Sequence, residues 1–422
     1  MVSFLQGKVI KDHRVMRTFI SFEEARAIVL SSATTTRTES VAFENAIGRT
    51  LREDVLSTEP IPGFDNSAMD GYAVRFEDCV SGPVTLKVVS DIPAGINPGV
   101  LVGPGQAARI MTGAPLPAGA DSIVPIEKTN SKDRTEVHIG EAPRSGAHVR
   151  YAGEELKAGD TVMRSGIVLT PPAIGMLASV GKILVDVACK PRLAIISTGD
   201  EVIPADERPV LGQLRNSNGP SLAAQAVSAG ADVTVTKHLP DDPAAIRSFV
   251  QSIKNVDLLV FSGGVSMGEY DYVRTELDAM GAVWEFWKVK QRPGKPLAFG
   301  TLDGIPVLGL PGNPVSSSVC FEMYARPMIA AMSGRDNPLR ITIQATLRRD
   351  IPKVERLYTF ARGNLSTDPE TGLTMVDTTG NQASGMFTSM VDADCIIHLP
   401  DGLKSAEAGS KVTVELLSWS LS

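Results

Sequence analysis

Cysteine and aromatic residues are scarce in this chain. Its four cysteines, Cys79, Cys189, Cys320 and Cys395, lie far apart, with no CxxC pair and no zinc spacing among them. That excludes a disulfide framework or a zinc module as the organising principle and leaves reduced core thiols. Aromatic residues are only 5% of the 422, which gives no stacking platform for bases. A net charge of -7 argues against nucleic acid as the main partner. No stretch approaches about 18 clean apolar residues, so no membrane span is expected. Residues 1–20 alternate apolar and charged positions without a long apolar run, unlike a secretory signal. The cytoplasm is the expected location.

The apolar fraction of 43% supports substantial cores. At roughly 150 residues per domain the length suggests about three of them. Ser21, followed three residues later by Glu24 and an apolar run, has the pattern of a capping box opening a helix. Residues 41–47, ending at Gly48, suggest a second short helix. Between Pro60 and Arg150, short strand-like runs are broken by Pro and Gly, as in a small barrel or sandwich. The central third changes texture. Apolar strands are expected at residues 192–197, 232–237, 257–261 and 307–310. They alternate with helical segments at 221–229, 242–250, 272–280 and 315–332. Such alternation describes an α/β unit whose sheet is covered on both faces. After Asn337 short strands return, as a compact C-terminal β domain. The expected fold is therefore multidomain α/β plus β: a central three-layer α/β domain with a mostly parallel sheet, preceded by a barrel-like β region.

Ligands of open α/β sheets meet the carboxyl ends of the strands. There the chain carries Ser197-Thr-Gly-Asp-Glu201, Asp241-Asp242, Ser262-Gly-Gly-Val-Ser266, Asp271 and Pro311-Gly-Asn-Pro314. Asp200, Glu201, one of Asp241 and Asp242, and Asp271 could share Mg2+, which prefers hard oxygen ligands and takes some from substrate phosphates. Ser262, Gly263, Gly264 and Ser266 could cradle a phosphate with backbone amides. The segment is neither a Walker A loop nor a dinucleotide fingerprint. Lys288, Arg292 and Lys295 could offset anionic charge. Pro311, Gly312, Asn313 and Ser316 offer a further anion site. Earlier in the chain, Asp65, Asn66, Ser67 and Asp70 crowd one polar turn, and Thr112 sits beside the permissive Gly113.

Together, Pro62-Gly-Phe-Asp-Asn-Ser-Ala-Met-Asp-Gly71, Ile110-Met-Thr-Gly113, Ser197-Thr-Gly-Asp-Glu201, Ser262-Gly-Gly-Val-Ser266 and Leu310-Pro-Gly-Asn-Pro314 resemble the molybdopterin molybdenumtransferase family, gephyrin E-type domains included. The resemblance spans residues 20–420. It implies an elongated N-terminal domain (1–42 and 149–175), an inserted β domain (43–148), a molybdopterin-binding α/β domain (176–332) and a C-terminal β domain (333–422). It also implies a homodimer with its site between subunits, and Mg2+-dependent insertion of molybdate into adenylylated molybdopterin with release of AMP. Molybdopterin adenylyltransferase and recipient molybdoenzymes are the implied partners.

Carried over by motif, Asp65, Thr112, Asp200, Asp241 or Asp242, Asp271, Lys288 and Lys295 match functional positions. Ser316 matches on the pterin-phosphate or molybdate side, and Arg356 with Ser384 or Ser389 would come from the C-terminal domain. Asp65 and Glu155 would orient water. Two positions depart from the family pattern. Glu155 stands where an aspartate is usual, and Arg292 where a lysine is usual. Two rival readings are molybdopterin adenylyltransferase itself, which the central domain alone resembles, and a cofactor-carrying scaffold dimer.

Overall fold

The computed structural model describes residues 16–131, 133–265, 271–353, 355–403, 405–417 and 419. Most of the opening segment and Ser266 lie outside the described residues. A seven-stranded sheet forms the centre, in the order Arg17–Ile20, Val283–Val289, Ala298–Leu302, Ile305–Leu310, Leu258–Ser262, Arg192–Thr198, Asp232–Leu239. Every pairing is parallel except the two made by Ala298–Leu302, which is antiparallel to both neighbours. Strand alternation feeds two cores. Leu193, Ile195, Leu258, Val260 and Leu308 enter one. Ala194, Ile196, Leu259, Phe261 and Val307 enter the other. A sheet apolar on both faces is stable only between two helical layers, which explains the near-continuous apolar runs.

The helices begin where local chemistry directs. Ser21 caps Phe22–Ser31 by accepting from the Glu24 amide at 3.1 Å. The reciprocal half of the box is absent, because the Glu24 carboxylate pairs with Arg17 at 3.1 Å. Asp242 caps Pro243–Ser252 by accepting from the Ala244 amide at 2.9 Å, with Pro243 in the first turn, where its missing N–H costs nothing. The last long helical segment runs from Pro314 through a π-helical stretch, Phe321–Ala325, to Met332.

A six-stranded sheet of the preceding region runs Ser122–Pro125, Gly71–Val74, Gln106–Ile110, Val84–Ile92, Glu136–Ile139, Thr129–Asn130. Its two edge strands are joined by a single turn, Ile126–Lys128, so the sheet curls back on itself as a barrel. The C-terminal strands close fully. Tyr358–Thr367 pairs with both Thr374–Thr378 and Cys395–Leu399, completing a circuit through Thr342–Leu347 and Lys411–Leu416. Gln291–Arg292 of the central region adds to this sheet beside Tyr358–Thr359.

The helix expected over residues 41–47 does not form. Thr38–Ala42 is a strand paired with Leu184–Ala188, followed by a 3-10 turn, Phe43–Asn45. Val41 lies opposite Val185, and β-branched residues favour that packing over a helical turn. A separate core joins Ala46, Leu51 and Val55 to Leu169, Leu177, Val185 and Val187. It draws on residues from both sides of the divisions expected at 42/43 and 175/176. All four cysteines are free thiols, and Cys79, Cys320 and Cys395 are buried. Burial pushes the Cys395 thiol up to about 12, with Asp394 adding to the effect.

Candidate active site

The carboxyl ends of three parallel strands surround a cavity of about 520 Å³. Thr198 and Gly199 border it from one strand, Ser262 to Val265 from the next, and Pro311 to Pro314 from the third. The glycines are there for steric reasons. Gly263 and Gly264 have φ of +95° and +65°. A Cβ on Gly264 would lie 2.5 Å from Val273 Cγ2 and 3.0 Å from Thr198 Oγ1. Gly264→Ala is expected to destabilise the protein by about 1–3 kcal/mol through combined strain and overpacking. Urea unfolding measures this, and an unchanged midpoint would show that the turn relaxes without cost.

Three helix starts open on this cavity: Asn218–Ser228, Tyr272–Ala279 and the segment beginning at Pro314. Their N-cap residues, Ser217, Asp271 and Asn313, make no side-chain cap hydrogen bond. Ser21 and Asp242, whose helices begin elsewhere, do cap with their side chains. One amide of each first turn is already bonded: those of Gly219, Arg274 and Val315 donate to Asn216 Oδ1 at 3.0 Å, the Gly264 carbonyl at 3.4 Å and the Ser384 carbonyl at 3.2 Å. The helix starts still direct their positive ends at the cavity, which suits an anionic ligand.

The acidic residues separate into distinct roles. Asp241 borders the cavity, and its amide donates to Asp200 Oδ1 at 3.0 Å. Burial, the neighbouring Asp200 and then Glu201 raise the Asp241 pKa above the ordinary carboxylate value. The Thr198 hydroxyl lies close enough to oppose that shift, but it is buried without a hydrogen bond of normal geometry. Glu201 and Asp271 also border the cavity. Asp242 is turned to its helix cap instead, so of the adjacent pair Asp241 is the residue at the cavity. Among the described residues no three His, Cys, Asp or Glu side chains form a ready-made metal cage. The acidic set Asp200, Glu201, Asp241, Asp242 and Asp271 is therefore not gathered into one cluster of protein ligands.

The basic segment lies beside the cavity and reaches it through Pro296. Lys288 Nζ stands over the Trp287 ring at 3.7 Å from its centroid, and Lys295 Nζ over Phe19 at 4.8 Å. The turn between them is held firmly. Buried Gln291 donates to the Gly294 carbonyl at 3.1 Å and accepts from the Tyr324 hydroxyl. Arg292 is exposed next to Arg362, which is 1% exposed and donates to Ser389 Oγ at 3.1 Å. Burial, and then Arg292, push Arg362 down to about 10. Arg356 lies elsewhere, in a cleft with Phe19, Lys290 and Asp401. Its strand begins only at Tyr358, so Arg356 sits in the preceding turn and points to that cleft. Of the C-terminal serines, Ser384 accepts from Asn313 Nδ2 at 3.3 Å and so touches the cavity rim. Ser316 is buried and does not border the cavity.

Several site residues had no clear mark in the sequence. Asn218 Nδ2 donates to Ser262 Oγ at 2.8 Å and to the Gly312 carbonyl at 2.7 Å, tying two strand ends together. Asn216 Nδ2 donates to Ser197 Oγ at 2.9 Å, and His238 completes that chain at 3.2 Å. Arg215 is the only cation that borders the cavity among the described residues. The available signal was Asn216-Ser-Asn-Gly219, which reads equally well as an ordinary helix start.

A second polar group stands apart. Asp65 Oδ1 accepts from the Ala152 amide at 2.8 Å, and Asp70 Oδ1 accepts from the Thr112 amide and hydroxyl at 2.7 and 2.6 Å. Those Thr112 hydrogen bonds hold the Asp70 carboxyl below its ordinary value. Glu155 is exposed on the same connector, its amide bonded to the Ile61 carbonyl at 3.0 Å. Asp65, Thr112 and Glu155 do not border the central cavity of their own chain.

Three family models match in succession along the chain. They are the MoeA N-terminal region (domain I and II) over residues 20–181, a probable molybdopterin binding domain over 194–331, and the MoeA C-terminal region (domain IV) over 344–417. The Molybdopterin molybdenumtransferase of Haemophilus influenzae is 34% identical over 404 residues, covering 94% of this chain and 98% of that protein. The chain belongs to the molybdopterin molybdenumtransferase family. Molybdopterin molybdenumtransferase 2 of Mycobacterium tuberculosis is 35% identical over 407 residues, covering 93% of this chain and 98% of the relative. A crystal structure titled molybdopterin biosynthesis moeA protein, from Pyrococcus horikoshii OT3, superposes with a TM-score of 0.82 at 26% identity. It covers 94% of this chain and all of that one. As a molybdopterin molybdenumtransferase family member, the chain has the multidomain α/β plus β architecture expected from its sequence.

Proposed function

We propose that this protein inserts molybdate into adenylylated molybdopterin and releases AMP, using Mg2+. The observation that carries the reading is the convergence of three helix starts and the Gly263-Gly264 turn on a cavity whose wall holds Asp241 beside Asp200. Converging helix starts suit phosphate oxygens, and a raised, like-charged carboxylate suits a cation.

The donor set fits Mg2+ in the manner common for phosphate substrates, with one or two carboxylates from the protein and the remaining oxygens from ligand and water. Asp241 and Asp200 would hold it, with Asp271 and Glu201 at the rim. When bound, the ion would neutralise phosphate oxygens and stabilise charge at the phosphorus being cleaved. The protein's own groups do the positioning. The Gly264 amide would face the phosphate, while the Gly263 amide donates to the Leu310 carbonyl at 3.1 Å and extends the strand ladder. Asn218 locks the Ser262 turn against Gly312, so these donors need no rearrangement as charge develops. Arg215, Arg292, Lys288 and Lys295 supply positive charge toward molybdate and the pterin phosphate. Arg292 delivers it in a bidentate fork, where the usual lysine would act as a point charge.

The family's homodimer supplies the missing part of this reading. Asp65, Thr112 and Glu155 do not border their own cavity and would enter the site of the partner subunit, orienting water there. The adenylylated substrate would come from a molybdopterin adenylyltransferase, and the product would go to recipient molybdoenzymes. No helix among the described residues is long and apolar enough to cross a membrane. We place the protein in the cytoplasm. The test is AMP release by purified protein given adenylylated molybdopterin, molybdate and Mg2+. Turnover that depends on molybdate supports insertion. ATP-dependent adenylylation of metal-free molybdopterin, without molybdate-dependent AMP release, would identify the adenylyltransferase reading instead.

A further inference from the structure

A second polar cavity, of about 360 Å³, lies at the opposite end of the central sheet. Lys190, two residues before the Arg192–Thr198 strand, borders it, whereas Ser197 and Thr198 border the candidate active site. Seven residues of strand place the two cavities roughly 20 Å apart. The chemistry of its wall is one-sided. Arg49, Lys190 and Arg335 are cationic, Thr50, Ser228 and Ser333 carry hydroxyls, that of Ser333 donating to the Ile329 carbonyl at 3.0 Å, and no lining residue is acidic.

Two polar atoms on residues of its wall are buried and have no partner among the described residues: Thr50 Oγ1, on a residue 2% exposed, and Arg335 Nε. A buried donor left without an acceptor costs about 1–3 kcal/mol, more when charged, so native proteins seldom tolerate two in one cavity. Arg49 is already committed, to Glu39 and to the Ala188 carbonyl. Among the described residues Arg335 has no carboxylate partner, and burial accounts for the lowering of its pKa. Its Nη2 lies 3.3 Å from where a Cβ on Gly230 would stand, which fixes it against the cavity wall.

Helix ends offer the ordinary explanation for such cations, since two helices finish here, Asn218–Ser228 and Arg326–Met332. Most of their last-turn carbonyls are taken, however. Gln225, Ala226 and Val227 accept from the amides of Ala229, Ala231 and Gly230. Ile329, Ala330 and Ala331 accept from those of Ser333, Arg335 and Gly334. Among the described residues, capping therefore leaves Arg335 Nε and Thr50 Oγ1 still without partners.

We propose that this cavity is a second binding site, for a small tetrahedral oxyanion, held by Arg335 and Lys190 with the Thr50 hydroxyl as an additional donor. The site is independent of the proposed reaction. Its anion could be phosphate or sulfate from solution, or molybdate held away from the reacting centre.

Equilibrium dialysis of the full-length protein against radiolabelled orthophosphate tests the site. Arg335→Met and Lys190→Met are each expected to weaken one class of bound phosphate by about tenfold or more. Neither substitution touches the central cavity, so the quantity read is the binding lost in the variants. Lys190 is exposed, so its variant should keep the fold even if Arg335→Met does not. Unlabelled molybdate that displaces this phosphate far more strongly than sulfate identifies a molybdate site, whereas equal displacement identifies a general oxyanion site. Phosphate binding that is unchanged in Lys190→Met and in folded Arg335→Met overturns the proposal, as does phosphate that neither anion displaces.

Discussion

Asp241→Asn is expected to cut molybdate-dependent AMP release by about a hundredfold or more, while raising the midpoint of thermal unfolding. The loss follows from removing a charge aimed at the reacting phosphate and its cation, where preorganised electrostatic groups are typically worth that much. The gain follows from linkage. Burial, Asp200 and Glu201 all raise the Asp241 pKa in the folded protein. A carboxyl that holds its proton more tightly when folded contributes stability below its unfolded pKa. That contribution disappears as pH rises through the folded value. At neutral pH the ionised Asp241 is therefore a burden on the fold, and the neutral amide removes it. The stabilisation should accordingly shrink toward acid pH, where Asp241 is itself protonated. Activity assays and melting curves from pH 4 to 8 check both halves. A variant that loses stability and retains turnover would place Asp241 in an ordinary structural role. Asp242→Asn is the matched control. Asparagine caps a helix about as well as aspartate, so turnover and stability should stay near wild type.

The contrast between these adjacent aspartates shows what could be read in advance. The sequence Asp241-Asp-Pro243 announces a helix start, because proline belongs in the first turn behind a cap. It does not say which carboxylate caps, since that depends on the strand exit at Leu239. The central strands were legible because Ile195, Val260 and Leu308 belong to unbroken apolar runs that only a doubly covered sheet accommodates. Glycines at 263 and 264 were legible because their conformations exclude a side chain. Arg17–Ile20 was not, because its pairing with Val283–Val289 bridges more than 260 residues and leaves no local trace. Arg362 was hidden in another way. Within Ala361-Arg-Gly363 it has the pattern of an outward strand residue, and only the packing of Thr388–Val391 buries it against Ser389. Arg356 was named instead through the family resemblance alone, and the structure places it in the turn before that strand.

Mixing two inactive variants is expected to restore activity. Asp65→Asn removes a carboxylate from the N-terminal polar group, and Asp200→Asn removes the one that accepts from the Asp241 amide beside the central cavity. Each alone should abolish most turnover. In one chain these groups do not share a cavity, since Asp65 is bonded to the Ala152 amide and Asp200 to the Asp241 amide. If a twofold dimer builds each site from the Asp65 region of one subunit and the Asp200 region of the other, a mixed dimer contains one doubly defective site and one intact site. Random reassociation of equal amounts makes about half of the dimers mixed, so the mixture should recover about a quarter of wild-type activity. Recovery should require exchange of subunits, and should fail when each variant is first cross-linked to itself. A site completed within one chain would give no recovery at any mixing ratio. The same experiment with Thr112→Val in place of Asp65→Asn should also complement Asp200→Asn, because Thr112 belongs to the same polar group through Asp70. Thr112→Val should not complement Asp65→Asn, since both lesions then fall on the same side of the subunit boundary. That pattern of paired success and failure would assign each residue to its subunit without requiring the bound substrate to be seen.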